Sequence, residues 1–127
     1  MKLTDNFNLS EFECKCKCKM PENVFTNIQA LAIHLQTLRY VFNAPITINS
    51  SYRCVEHNRS VGGSKTSQHL LGKAADITIK GFTPDEVADE IEGLVKCGAV
   101  KIGGLGRYNT FTHIDIRNAH ARWDNRN

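Results

Sequence analysis

Apolar and polar positions alternate with two different periods along this chain, and the periods mark out its elements. Between Pro21 and Phe42, the residues Val24, Ile28, Leu31, Leu35, Leu38 and Phe42 recur at spacings of three and four. That is one stripe of an α-helix. Pro21 suits the first helical position, where its missing N–H costs no hydrogen bond, and Asn43-Ala44-Pro45 ends the helix. Over Ile46 to Ser50 the period drops to two, with Ile46, Ile48 and Ser50 alternating against Thr47 and Asn49. This predicts a strand. Ala74 to Lys80 predicts a second, with Ile77 and Ile79 on one face.

Thr83-Pro84-Asp85-Glu86 is a helix start: Thr83 caps, Pro84 takes the first turn and Glu86 closes a capping box. Val87, Ile91 and Leu94 give that helix its buried face, and Gly98 supplies a left-handed stop after Cys97. Two short strands are expected near Val100 to Ile102 and from Phe111 to Arg117. Before the first helix, residues 1–20 read as an arm anchored by Phe7, Leu9 and Phe12, with Ser10 capping a short turn. Between the first two strands, the loop from Ser51 to Gln68 is rich in Ser, Gly and Arg, and Gly62-Gly63 breaks any helix begun near Val55. The order is helix, strand, strand, helix, strand, strand. Short links between the later strands favour hairpins, so the fold class expected is α+β: an antiparallel sheet with helices packed on one face.

A length of 127 residues makes this one domain, with an arm over residues 1–20 and the core of the domain over 21–127. A hydrophobic fraction of 41% supports one modest core. The polar start, Met1 to Asn8, lacks the apolar run of a secretory signal, so synthesis in the cytoplasm is expected. No stretch is apolar for long enough to insert in a membrane. The net charge of +3 is too mild to argue for nucleic-acid binding, yet it favours loose association with an anionic polymer. The basic tail from Arg117 to Asn127 reads first as solvated surface, with His120 in water and Trp123 packing the tail onto the domain.

The five cysteines include the run Cys14, Cys16 and Cys18, which alternates with lysines. Thiolates favour zinc, but the run lacks the two-residue gaps and second ligand pair of a zinc finger. An incidental thiol cluster and a second metal site both stay open.

Two segments carry chemistry. In Ser67-Gln68-His69-Leu70-Leu71-Gly72-Lys73-Ala74-Ala75-Asp76, a glycine turn separates a histidine from an aspartate that starts a strand. In Thr112-His113-Ile114-Asp115, His113 and Asp115 are two apart on a strand and share a face. Two histidines and a carboxylate suit a catalytic zinc site that keeps a fourth position for water. By spacing alone, the same residues are equally readable as ordinary hydrogen-bonded side chains.

The stretch Ser51-Tyr52-Arg53 through Glu56-His57-Asn58, then Gly62-Gly63, then Ser67 to Ile77, resembles the M15 family of zinc D-Ala-D-Ala carboxypeptidases and related murein endopeptidases. The signature Ser-x-His-x-x-Gly-x-Ala-x-Asp is complete. Gly104-Leu105-Gly106-Arg107-Tyr108 and Phe111 to Asp115 resemble the family's closing motif, in the subgroup ending His-x-Asp. Leu9-Ser10-Glu11-Phe12 resembles the opening of short, phage-type members.

The resemblance implies a fold like that of D-Ala-D-Ala peptidases and Hedgehog domains, with His69, Asp76 and His113 as zinc ligands. Arg53 would hold a substrate carboxylate with its planar fork, and Ser67 would hydrogen-bond the substrate. Tyr108 would donate to the substrate or to the developing oxyanion. Many members carry an acidic base three residues before the last zinc histidine; here that position is Thr110. Asp115 is the expected substitute, and its other reading is a partner that orients a ligand. His57 shapes the substrate loop or caps a turn, and His34 reads as a packed helix residue. The implied substrates are peptidoglycan stem peptides. A phage lysis setting, with a holin-like partner releasing a monomer to the wall, completes the expectation. Its rivals are an endopeptidase of the same family and a non-catalytic, zinc-stabilised wall-binding or virion module.

Overall fold

The computed structural model describes residues 1–127. Its first helix, α1, runs over Glu22–Phe42. All six residues of the expected apolar stripe are buried. Pro21 sits one position earlier than expected, as the extended residue just before the helix. Asn43 closes α1 in the left-handed region at φ 50°, its N–H donating to the Arg39 carbonyl.

Strand β3 (Ile46–Ser50) pairs antiparallel with β4 (Ala74–Ile79), as the period of two predicted. Between them lies α2 (Val55–Ser60), ended by Gly62 at φ +73°. Helix α3 (Pro84–Lys96) starts with the expected capping box between Thr83 and Glu86. Val87 and Ile91 are buried as expected, while Leu94 is half-buried and Ala88 takes its share of the core.

The later strands differ from the sequence pattern. Val100 and Ile102 are buried but join no ladder. The strand instead is β5 (Gly104–Arg107), which pairs antiparallel with β6 (Thr112–Asp115). Its two glycines hide it, because glycine is depleted in strands. Both are needed: a Cβ on Gly104 would collide with the Asp115 carboxylate, and one on Gly106 with the Trp123 indole. The tail is not simply solvated either. Ala121–Asp124 form β7, which pairs parallel to β5 and makes the sheet mixed.

The sheet order is β3-β4-β6-β5-β7. One face carries Ile46, Ile48, Ala75, Ile77, Ile79, Leu105 and Ile114, and these share a single core with α1 and α3. The class is therefore α+β, with the long helices covering one face. The period of two then sends Asp76, His113 and Asp115 to the other face.

The arm packs through Phe7 and Phe12, both buried. It holds a hairpin of β1 (Lys2–Thr4) and β2 (Phe7–Asn8). Its turn at Leu9–Phe12 is capped by Asn8 with Glu11 rather than by Ser10. Buried Gln36 of α1 ties the hairpin down, accepting from Thr4 and Asn6 and donating back to Asn6. No helix is long and apolar enough to cross a membrane.

Candidate active site

Antiparallel register puts Asp76 directly opposite His113, and Ala74 opposite Asp115. Ala74 is small enough to leave Asp115 room beneath the site. His69 arrives from a one-turn helix, Gln68–Leu71, which Ser67 caps by accepting from the His69 N–H at 3.1 Å. Gly72 then turns the chain into β4 in the left-handed region, where a Cβ would press on Val24 of α1.

Three ligand atoms converge, all on buried residues. Asp76 Oδ1 lies 3.2 Å from His69 Nε2 and 2.9 Å from His113 Nδ1. The remaining nitrogen of each ring is occupied elsewhere. His69 Nδ1 faces the Ser51 carbonyl at 2.6 Å, and His113 Nε2 faces Asp115 Oδ2 at 2.8 Å. Each of these oxygens accepts a proton from its ring, which leaves the lone pairs of His69 Nε2 and His113 Nδ1 aimed at a carboxylate oxygen. Three acceptors pointing at one another are stabilised by a cation between them, and this donor set fits zinc.

Without a cation, protons take its place. Burial pushes the Asp76 carboxyl upward, but hydrogen bonds from His113 and His69 outweigh it and bring it to about 2. Burial likewise lowers the His113 pKa, yet its bonds to Asp115 and Asp76 prevail and raise it above the ordinary histidine value. An imidazole held between two carboxylates is called on to donate from both nitrogens.

Arg53, Ser67, His69, Asp76, Tyr108 and His113 all line one cleft of about 610 Å³. The Arg53 guanidinium is held at three points: Ser50 Oγ at 3.2 Å, Asn58 Oδ1 at 3.1 Å and Asp76 Oδ2 at 3.5 Å. Tyr108 stacks on Phe111, and its Oη accepts from Trp123 Nε1 at 2.9 Å. With that acceptor role filled, its own proton is free for a ligand.

Asp115 is placed differently. It is 0% exposed and lies behind His113, away from the cleft lining. Arg117 grips it with a fork, Nε to Oδ1 at 2.8 Å and Nη2 to Oδ2 at 2.7 Å. Burial alone would raise its pKa, but His113 and Arg117 hold it well below the ordinary range. A carboxylate so engaged has no lone pair turned toward a water in the cleft. This placement departs from the expectation of a base at Asp115, and it leaves Asp76 as the sole acidic residue lining the cleft.

Several members of the site lie outside the residues that the sequence pattern singles out. Arg117 was readable as a partner of Asp115, two residues away. Trp123 packs 4.9 Å from the His113 ring, with Arg117 over its face, and so lines the cleft as well as fastening the tail. Gln68 also lines it, and its Oε1 is the one buried side-chain oxygen or nitrogen lacking a hydrogen-bond partner. His57 and His120 stay outside the cleft, and His34 is half-buried on α1.

A family model described as Peptidase M15 matches residues 5–115. A zinc D-Ala-D-Ala carboxypeptidase of Streptomyces albus G is 43% identical over 83 residues, which is 63% of this chain. The chain spans only 31% of that relative's length. The family match takes in most of the arm, the long helix, the one-turn helix that carries His69 and the strands that carry Asp76 and His113, and on that breadth the chain belongs to the peptidase M15 family.

Proposed function

We propose that this chain is a zinc peptidase that hydrolyses D-amino-acid-containing stem peptides of bacterial peptidoglycan, of the D,D-carboxypeptidase type. The observation that carries the reading is the position of Arg53, whose guanidinium shares one cleft with the convergent His69, Asp76 and His113. The similarity to the Streptomyces carboxypeptidase supports the choice of metal and substrate.

His69, Asp76 and His113 would hold the metal. Zinc, when bound, supplies Lewis-acid polarisation of a carbonyl and lowers a water's pKa to about 7. Arg53 pairs with the peptide's terminal carboxylate, for which a planar fork is suited. Ser67 hydrogen-bonds the peptide beside the metal. Tyr108 donates its free phenolic proton toward the oxygen on which charge develops. Asp115 accepts from His113 Nε2 and so fixes the tautomer that leaves Nδ1 free to ligate.

Defined stem peptides, with and without a D-Ala-D-Ala end, test the reading by mass spectrometry against a His69→Ala control. Release of terminal D-Ala, lost in the control, is expected. Internal cleavage would replace the carboxypeptidase reading by an endopeptidase. A lytic, endolysin-like role adds the expectation that suspensions of purified walls lose turbidity.

The absence of a free carboxylate in the cleft favours one second reading, a zinc-stabilised wall-binding module. Zinc-loaded protein that binds walls and leaves every peptide intact would establish it.

A further inference from the structure

The expected cysteine run does not stand alone. The turn at Cys14 to Cys18 brings its three thiols to Cys54, which precedes α2, and the four sulfurs lie within 4.8 Å of one another. Cys14 to Cys16 measures 3.3 Å, Cys16 to Cys54 3.5 Å and Cys14 to Cys54 3.9 Å. All are free thiols. A disulfide needs about 2.05 Å between sulfurs, whereas four thiolates around a tetrahedral zinc, each about 2.3 Å from it, stand about 3.8 Å apart. The three separations, from 3.3 to 3.9 Å, lie far beyond a disulfide and close to or a little inside the second value.

The local backbone is bent to achieve this. Lys17 is left-handed at φ 63°, and its N–H closes a turn onto the Cys14 carbonyl at 2.9 Å. A lysine in that region costs about 1 kcal/mol or more. Of the three thiols in the run only Cys14 reaches the core; Cys16 and Cys18 are exposed and gain nothing from burial. Two backbone N–H groups point at sulfur, Cys54 N to Cys14 at 3.5 Å and His57 N to Cys54 at 3.4 Å. Such donors favour thiolates over thiols. Lys15, Lys17 and Lys19 set positive charge around the cluster, as a doubly negative tetrathiolate site requires.

We propose that Cys14, Cys16, Cys18 and Cys54 form a second metal site, closed and structural, that takes zinc or another thiophilic divalent ion. Each thiol gives its proton to solvent as it ligates. Four protein ligands leave no open position, so the site does no chemistry. Its effect is mechanical. Cys54 follows Arg53 directly and its sulfur caps α2, while the Tyr52 N–H already bonds the Phe12 carbonyl at 3.1 Å. The ion fastens the arm to the segment that carries Arg53. This site is independent of the one proposed for His69, Asp76 and His113.

Metal content of the full chain, purified under reducing conditions and loaded with zinc, tests this. Wild type is expected to hold two ions. The C16S/C18S variant and His69→Ala should each hold one. Cobalt-loaded His69→Ala should keep thiolate-to-cobalt charge-transfer absorption, which C16S/C18S should lack. A wild type with one ion, kept in His69→Ala and lost in C16S/C18S, supports the thiolate site and sinks the other. Should C16S/C18S not fold, a mercurial titration of wild type serves: Cys97 reacts freely, and modification of the other four should release one zinc. Zinc content unchanged by C16S/C18S, no zinc released by the mercurial, or disulfide-linked mass under non-reducing conditions would each overturn the proposal.

Discussion

Asp115 is where a single side chain decides between two mechanisms. As an orienting carboxylate, it predicts that Asp115→Asn lowers zinc affinity by about 10–100-fold and that excess zinc restores part of the turnover. As a base, it predicts unchanged affinity and lost turnover. Equilibrium dialysis beside a peptide assay separates the two, and the fork from Arg117 favours the first. The convergence of His69, Asp76 and His113 was legible as an expectation, because His69 and Asp76 sit in a long signature and His113 shares a strand face with Asp115. What the sequence concealed is which nitrogen of His113 faces which carboxylate. That depends on Asp76 of β4 lying directly opposite His113 of β6, a fact of pairing that spacing within one strand does not carry.

At the level of elements, apolar periodicity read α1, β3, β4 and α3 to within a residue or so. It failed at β5 and β7, where glycines and charged residues replace the strand pattern for reasons of fit. Gly104 shows what that fit is worth. Gly104→Ala would drive a methyl into the pinned Asp115 carboxylate, and overpacking of this kind costs about 1–3 kcal/mol. Denaturant unfolding should report the loss, with weaker zinc binding alongside it. Gly93, exposed within α3 with nothing near its would-be Cβ, provides the contrast. Gly93→Ala should stabilise by up to about 1 kcal/mol through helix propensity. Equal effects from the two variants would show that the space beside Asp115 is not the constraint.

For the whole molecule, the site ties stability to pH. With metal stripped, His113 binds its proton more tightly folded than unfolded, because Asp115 and Asp76 face it from both sides. The folded state then holds more protons across the window, and stability falls as pH rises. The contribution is complete below the unfolded histidine value of about 6.5 and lost as pH climbs through the raised folded value. Thermal melts of stripped, reduced protein should therefore show a midpoint that declines over that range. His113→Gln should lack this slope; a slope that persists would assign it to another group. The depressed Asp76 works in the opposite window, adding stability above its ordinary value and losing it as pH falls toward about 2.

The lone tryptophan of the sequence stands against His113, hydrogen-bonded to Tyr108 and covered by Arg117. A natural fluorophore thus lies at the wall of the cleft, with a quenching imidazole in contact. Its emission is expected to track the state of that ring, so that filling or emptying the site should be readable by light from the unlabelled chain.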